Sequence, residues 1–237
     1  MKLLAVDTAT EACSVALDLD GAVLQRFEVA GREQSARLPQ MLQELLAEAG
    51  VLPGQLDGLV CGVGPGSFSG VRIGVAYVKG LALGLDRPVL PVSSLAMLAQ
   101  GAIRRYGVAG VLAALDARMA EVYFCAYAAV DGLAQPLGEA VVAPPSRLGP
   151  PVPPGEYAAV GGGWIDHGEA LRACLGVVPV PVDGAALPHA ADALALARPE
   201  IAAGRALAAG ELQPLYLRNR VALTQAEQEA ARRHRTI

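Results

Sequence analysis

The sequence predicts an α/β protein made of two related halves. Three observations carry this. Short apolar runs of strand length alternate with apolar stripes of helical period. A glycine-rich loop separates one such strand from one such helix, which makes a βα unit. The order strand ending in Asp, second strand, Asp-Gly turn, third strand occurs twice.

The first half begins with Leu3 to Val6, a short apolar run that ends at Asp7. Cys13 to Leu19 and Val23 to Val29 follow, parted by the hairpin signal Asp20-Gly21, so three antiparallel strands are expected. Leu38, Met41, Leu42, Leu45, Leu46 and Ala49 then form one helical stripe, with Pro39 placed in its first turn and Gly50 closing it. Leu59 to Val63 is continuously apolar and reads as a central parallel strand buried on both faces. The loop Gly64 to Gly70 breaks it, and a second helix is expected from about Ser69 to Leu85.

The second half repeats the plan. Val111 to Leu115 ends in Asp116 as Val6 ends in Asp7, and Glu121 echoes Glu11. Strands at Val122 to Ala128 and Gln135 to Val142 flank Asp131-Gly132. Ala158 to Val160 runs into Gly161-Gly162-Gly163 and a helix from about His167. A helix near Ser94 to Arg105, capped by Ser93 or Ser94, joins the halves. Pro144 to Pro154 reads as a surface loop, and a final helix starts near Pro188 and is interrupted at Pro199. The expected division is 1–105, 106–220 and a flexible tail 221–237.

Composition narrows the function. With 53% hydrophobic and 18% charged residues the chain can build a large core, which excludes a disordered protein. A net charge of −4 and a single basic run, Arg232 to Arg235, argue against unaided binding of nucleic acid. The four cysteines lack C-x-x-C pairing and read as core fillers in a reducing compartment. Asp7 interrupts the first apolar stretch too early for a signal peptide, and Arg72 and Lys79 interrupt the longest apolar helix, so no membrane span is expected.

The stretch GPGSFSGVRIG, Gly64 to Gly74, is the strongest motif. Two readings stay open: backbone N–H groups offered to a phosphate, or a tight turn whose glycines let helix and sheet approach. No Gly-Lys-Ser/Thr follows, so it is not a Walker A loop. Asp86 stands at a distance that suits a Rossmann ribose contact, but the loop follows a meander rather than opening the sheet. Asp7 and Asp116 either flank a nucleotide and its magnesium ion or accept hydrogen bonds from the turns after them. The three histidines are dispersed, and neither a metal site nor a nucleophile elbow is found. Trp164 reads as an anchor for its lobe. Gly70 and Gly74, then Gly80 and Gly84, stand four apart on the second helix, a spacing that lets another helix approach or lets this one pack on the sheet. The two helices of the first half carry more apolar surface than one sheet face needs, which suggests an intermolecular contact.

Val6 to Leu17, GPGSFSGVRIG, Leu115 to Tyr123 and Pro214 to Arg218 together resemble the TsaB (YeaZ) family, over residues 1 to about 220. The resemblance implies duplicated RNase H-like lobes of the actin/hexokinase/acetate-kinase-like (ASKHA) fold and a cytoplasmic protein. It implies an accessory subunit, without catalytic or metal residues, in forming N6-threonylcarbamoyladenosine in tRNAs that read codons starting with A. The partners implied are TsaD, which does the chemistry, and the ATPase TsaE, with homodimers when the chain is alone and tRNA met only through the complex. ATP or ADP is expected, if anywhere, at a shared site, for which Asp7, Thr8, Gly64, Gly66 and Ser67 are this chain's candidates. The expected docking face is Leu38, Met41, Leu42 and Leu45 on the first helix beside Val71, Gly74, Val78 and Leu81 on the second. A free-standing ATPase or phosphotransferase of the same fold is the alternative. One departure is Gln34-Ser35, where many relatives carry His before Ser.

Overall fold

The computed structural model describes residues 1–150, 153 and 155–218. The basic run 232–235 and the expected tail 221–237 lie outside the described residues. The chain forms β1 (Lys2–Asp7), β2 (Ala12–Leu19), β3 (Ala22–Val29), α1 (Gln34–Ala49), β4 (Gly58–Gly62), α2 (Phe68–Leu85), β5 (Val89–Val92) and α3 (Ser94–Tyr106). The second set is β6 (Gly110–Asp116), β7 (Val122–Val130), β8 (Leu133–Pro136), β9 (Val141–Ala143), β10 (Ala158–Val160), α4 (Gly163–Leu175), β11 (Val182–Asp183) and α5 (Ala190–Ala202).

Strand order makes the duplication explicit. The first sheet runs β3-β2-β1-β4-β5 and the second runs β8-β7-β6-β10-β11, with β9 added to β7. In each sheet the first strand is central. It pairs antiparallel with the strand that follows it and parallel with a later one. Asp7 and Asp116 are the last residues of the two equivalent strands. β4 is buried along its whole length, as its unbroken apolar run predicts. The exception to the duplication is α1: among the described residues, β9 and a short 3-10 turn, Pro145–Arg147, stand between the third strand and β10 in the second half, and no α-helix does.

The helices after the two sheets cross over. α3 follows the first sheet but packs on β6, β7 and β8, while α5 follows the second sheet and packs on β1, β2, β4 and β5. They meet where Gly101 comes so close to Asp192 that a Cβ there would lie 2.9 Å from a carboxylate oxygen. Asp192, 2% exposed, accepts two bonds from Arg104, at 2.8 and 3.1 Å. A boundary near residue 105 therefore separates the sheets but not the helices that cover them.

Four expectations change in detail. α1 begins at Gln34, a turn earlier than the apolar stripe suggests, so Pro39 falls beyond its first turn. The missing proline N–H leaves the Ser35 carbonyl, on an exposed residue, to water. The strand expected over Gln135 to Val142 is two strands, β8 and β9, parted by a break that begins after Pro136. α4 starts at Gly163 rather than near His167, because Gly161 turns the chain at φ +96° and Gly163 packs on Ala114. α5 runs through Pro199, whose lost partner is the carbonyl of exposed Ala195. Trp164 anchors its lobe as expected: it is buried, and its indole N–H donates to Leu112 O at 3.0 Å.

Candidate functional site

The sequence's strongest motif and its first aspartate meet at one junction. β1 ends at Asp7, and the loop after it lies against the N-terminal turns of α2. The contact is close enough to require glycine at each crossing. A Cβ on Gly62 would lie 1.9 Å from Asp7 Oδ1, one on Gly66 2.1 Å from Ala9 O, and one on Gly70 2.1 Å from Thr8 O. At Gly74 it would lie 2.6 Å from Thr8 Oγ1. Thr8 Oγ1 donates to Gly70 O at 2.7 Å, and Ser67 N donates to Ala9 O at 2.6 Å.

These contacts use two of the loop's backbone donors. Ser67 N is taken by Ala9 O, and Gly70 N by the Ser67 hydroxyl at 3.4 Å, an ordinary N-cap. Gly64, at φ +94°, turns the chain so that its carbonyl accepts from Ser94 N at 2.8 Å. The structure thus brings Asp7, Thr8, Gly64, Gly66 and Ser67 together. Their geometry is that of a strand–helix clasp in which Ser67 N and Gly70 N are already bonded.

Both aspartates bond the turns that follow them. Ala9 N donates to Asp7 Oδ2 at 3.3 Å, and Arg118 N donates to Asp116 Oδ1 at 2.9 Å. Their surroundings differ. Asp116 is partly exposed and pairs with Arg118 at 3.0 Å. Asp7 is fully buried and its Oδ1 has no hydrogen-bond partner among the described residues. Burial disfavours the charged form and pushes its pKa up to about 7, against a smaller opposite pull from the Ala9 N–H. The same burial, together with the Glu28 and Asp7 charges, raises the Cys13 thiol to about 11, so that cysteine is a core filler at neutral pH.

Sequence reasoning missed the role of Gln34. Its amide, 4% exposed, donates to Thr10 O and, at 3.4 Å, to the carbonyls of Thr8 and Ala12. It ties the whole loop after β1 to the start of α1. No ionisable group is needed there, because an amide supplies the donors. Gln34→Ala would orphan buried carbonyls, and urea unfolding should show a loss of about 2 kcal/mol.

The expected docking side chains are not on the surface. Leu38, Met41 and Leu45 of α1 and Val78 of α2 are fully buried, and Leu42, Val71 and Gly74 nearly so. They form the first sheet's own core, with Leu81 partly buried against it. The apolar stripe that identified the helices is the stripe that holds them to the sheet. Consequently Gly74→Leu and Leu45→Glu are core variants. The outer face of α1 is polar, with Glu48 bonded to Arg26 at 2.8 Å.

The outer face of α2 differs. Ala76, Gly80, Leu83 and Gly84 are exposed along it, Leu83 by 61%, and are flanked by Ile73 and Tyr77, which are partly buried against the first core. A Cβ on Gly80 or Gly84 would meet nothing within 4 Å. Over its 18 residues the mean hydropathy is 1.3 and only 33% of the window is buried; by length and composition alone it matches a membrane span. It packs on β4 and carries Arg72 and Lys79. The four-residue spacing of Gly70 and Gly74 and of Gly80 and Gly84 is visible in the sequence, but the structure puts the first pair against Thr8 and the second on the outer face.

Comparison with known proteins places this architecture. The family model described as "TsaD: tRNA N6-adenosine threonylcarbamoyltransferase" matches residues 27–180. The tRNA threonylcarbamoyladenosine biosynthesis protein TsaB of Escherichia coli is 42% identical over 233 residues, 94% of this chain and 96% of the relative. TsaB of Haemophilus influenzae is 36% identical over 93% of this chain and 95% of its own. The solved structure of YeaZ from Pseudomonas aeruginosa is 44% identical, with a TM-score of 0.86 over 91% of this chain and 99% of that one. The duplicated sheets, the clasp at Asp7 and these likenesses lead to one conclusion: the chain belongs to the TsaB family of tRNA threonylcarbamoyladenosine biosynthesis proteins, within the wider family that the TsaD model describes.

Proposed function

We propose that this chain is the non-catalytic accessory subunit in forming N6-threonylcarbamoyladenosine in tRNAs that read codons starting with A, and that α2 is its docking platform for TsaD. The observation that carries the reading is the uncovered outer stripe of α2. Glycine in a helix costs about 1 kcal/mol relative to alanine, and among the described residues nothing packs on Gly80 or Gly84 to repay it. Small residues on an apolar face let a second helix approach closely. The same stripe serves a second copy when the chain is alone, and TsaE joins once TsaD is docked. The subunit is cytoplasmic and meets tRNA through the complex. It carries no nucleotide site of its own, and ATP or ADP sits at a site shared with its partners. A free-standing ATPase or phosphotransferase finds less support, since Ser67 N and Gly70 N are already bonded.

The test uses Gly80→Leu and Leu83→Glu. Each should weaken co-purification with TsaD by about 2 kcal/mol or more and reduce modification of tRNA in the reconstituted system. Thermal unfolding of the isolated chain should not fall. If both variants bind TsaD and support modification as the native chain does, the docking surface is elsewhere. If the native chain itself neither binds TsaD nor supports modification, the accessory reading fails.

A further inference from the structure

The last described residues cross from one sheet to the other. Leu207 exchanges two backbone hydrogen bonds with Val89 of β5, at 2.9 and 2.8 Å. Leu212 is buried in the first core, and Lys79 of α2 donates to the carbonyls of Gly210 and Leu212 at 2.7 and 3.2 Å. Leu215 N then donates to Val63 O at 2.8 Å, just beyond β4. Three residues later Arg218 reaches the turn between β6 and β7. Its Nη2 donates to Ala117 O at 2.9 Å and to Glu121 Oε2 at 2.6 Å, and its Nη1 lies 3.0 Å from Met119 Sδ.

That turn is strained. Arg118, Met119 and Ala120 have φ of 62°, 56° and 58°. Left-handed backbone crowds Cβ against a carbonyl oxygen, and three such residues in succession, none of them Gly or Asn, persist only when their surroundings over-determine them. Within the turn, Ala117 N donates to Glu121 O at 2.9 Å and Glu121 N to Arg118 O at 3.1 Å. From outside it, Arg218 supplies the grip.

The duplication shows why a grip is needed here. In the first half the equivalent loop, after Asp7, is held by the Gln34 amide of α1 and by the glycines of α2. Among the described residues the second half has β9 and a 3-10 turn, and no helix like α1, at that place. The guanidinium of Arg218 takes the place of the Gln34 amide: each donates to a carbonyl of the loop after the central strand.

We propose that residues Leu207 to Arg218 form a latch between the two sheets, in which Arg218 is the positioning residue that holds the Arg118–Ala120 turn left-handed. When Arg218 lets go, the turn relaxes to right-handed backbone. Lys79 holds the strap on its way, and Arg72 lies 5.2 Å from the Tyr216 ring. The latch therefore joins α2 to the end of β6, and its link to partner docking rests on the proposed role of α2.

Hydrogen exchange of the full isolated chain tests the latch without any partner. Arg218→Ala should raise exchange at the Glu121 amide about tenfold or more, with the amides of β1 and β6 unchanged. Adding Ala120→Gly, which relieves the crowding at a left-handed position, should restore protection at Glu121. Arg218→Lys keeps the charge but not the fork, and should give an intermediate rise; it carries the test if the alanine variant unfolds. Equal protection at Glu121 in the native chain and both Arg218 variants would overturn the latch. So would failure of Ala120→Gly to restore any protection.

Discussion

Asp7→Asn is expected to make the isolated chain more stable at pH 8, by about 3 kcal/mol. An unfolded aspartate titrates near 3.8, whereas the buried one titrates at about 7. Between those values the folded chain holds a proton that the unfolded chain has lost. The stability linked to Asp7 is therefore complete below about pH 4 and falls as pH rises through 7. A shift of this size corresponds to about 4 kcal/mol, from which about 1 kcal/mol is lost to an unpaired amide N–H. Urea unfolding of both proteins from pH 5 to pH 8 gives the answer. The advantage of the Asn variant should shrink steadily on acidification. A variant that is less stable than the native chain at pH 8, or a difference that does not vary with pH, would show that Asp7 is not held as a buried acid.

Gly70→Ala is the second large effect. A single methyl there would sit 2.1 Å from Thr8 O. The obstacle is backbone of the loop directly after a central strand, so no side chain can swing aside. α2 must lift from β1, and the Thr8 to Gly70 hydrogen bond of 2.7 Å breaks with it. Overpacking of this kind costs about 3 kcal/mol. Gly80→Ala on the same helix should do the reverse and add about 1 kcal/mol to the isolated chain, because nothing lies within 4 Å of its Cβ. The pair of unfolding curves separates the two faces of α2. Equal shifts in the same direction would mean that the faces are not distinct.

Most of the strands and the duplicated order were legible because period-2 alternation and unbroken apolar runs are local signals. The Asp that ends each first strand was legible for the same reason. Three things were not. The swap of α3 and α5 depends on which sheet a helix falls against, and an amphipathic stripe does not name its partner. The docking face was misread because α1 and α2 were found by the very residues that bury them. Leu38, Met41, Leu45 and Val78 are fully buried, whereas the spacing of Gly80 and Gly84 was legible but not the face on which it lies. Gln34 was noticed only as a departure from a family habit. That its amide would reach three carbonyls, of Thr8, Thr10 and Ala12, follows from the fold of a loop more than twenty residues away.

The crossing of α3 and α5 also governs how this chain comes off the ribosome. The first sheet is complete once Val92 has been made, but one of its faces, which Met97 of α3 also touches, is covered along its length by α5, which ends at Ala202. At 5–20 residues per second, that face of Leu3, Ala5, Ala16, Val60 and Leu90 stays open for roughly 5–20 s. Meanwhile α3 emerges with no second sheet to lie on. Neither half can mature first as an independent unit, so the nascent chain is a natural client for a chaperone that shields an apolar sheet. A stalled or truncated product ending before Ala190 would expose that sheet permanently and be cleared as misfolded.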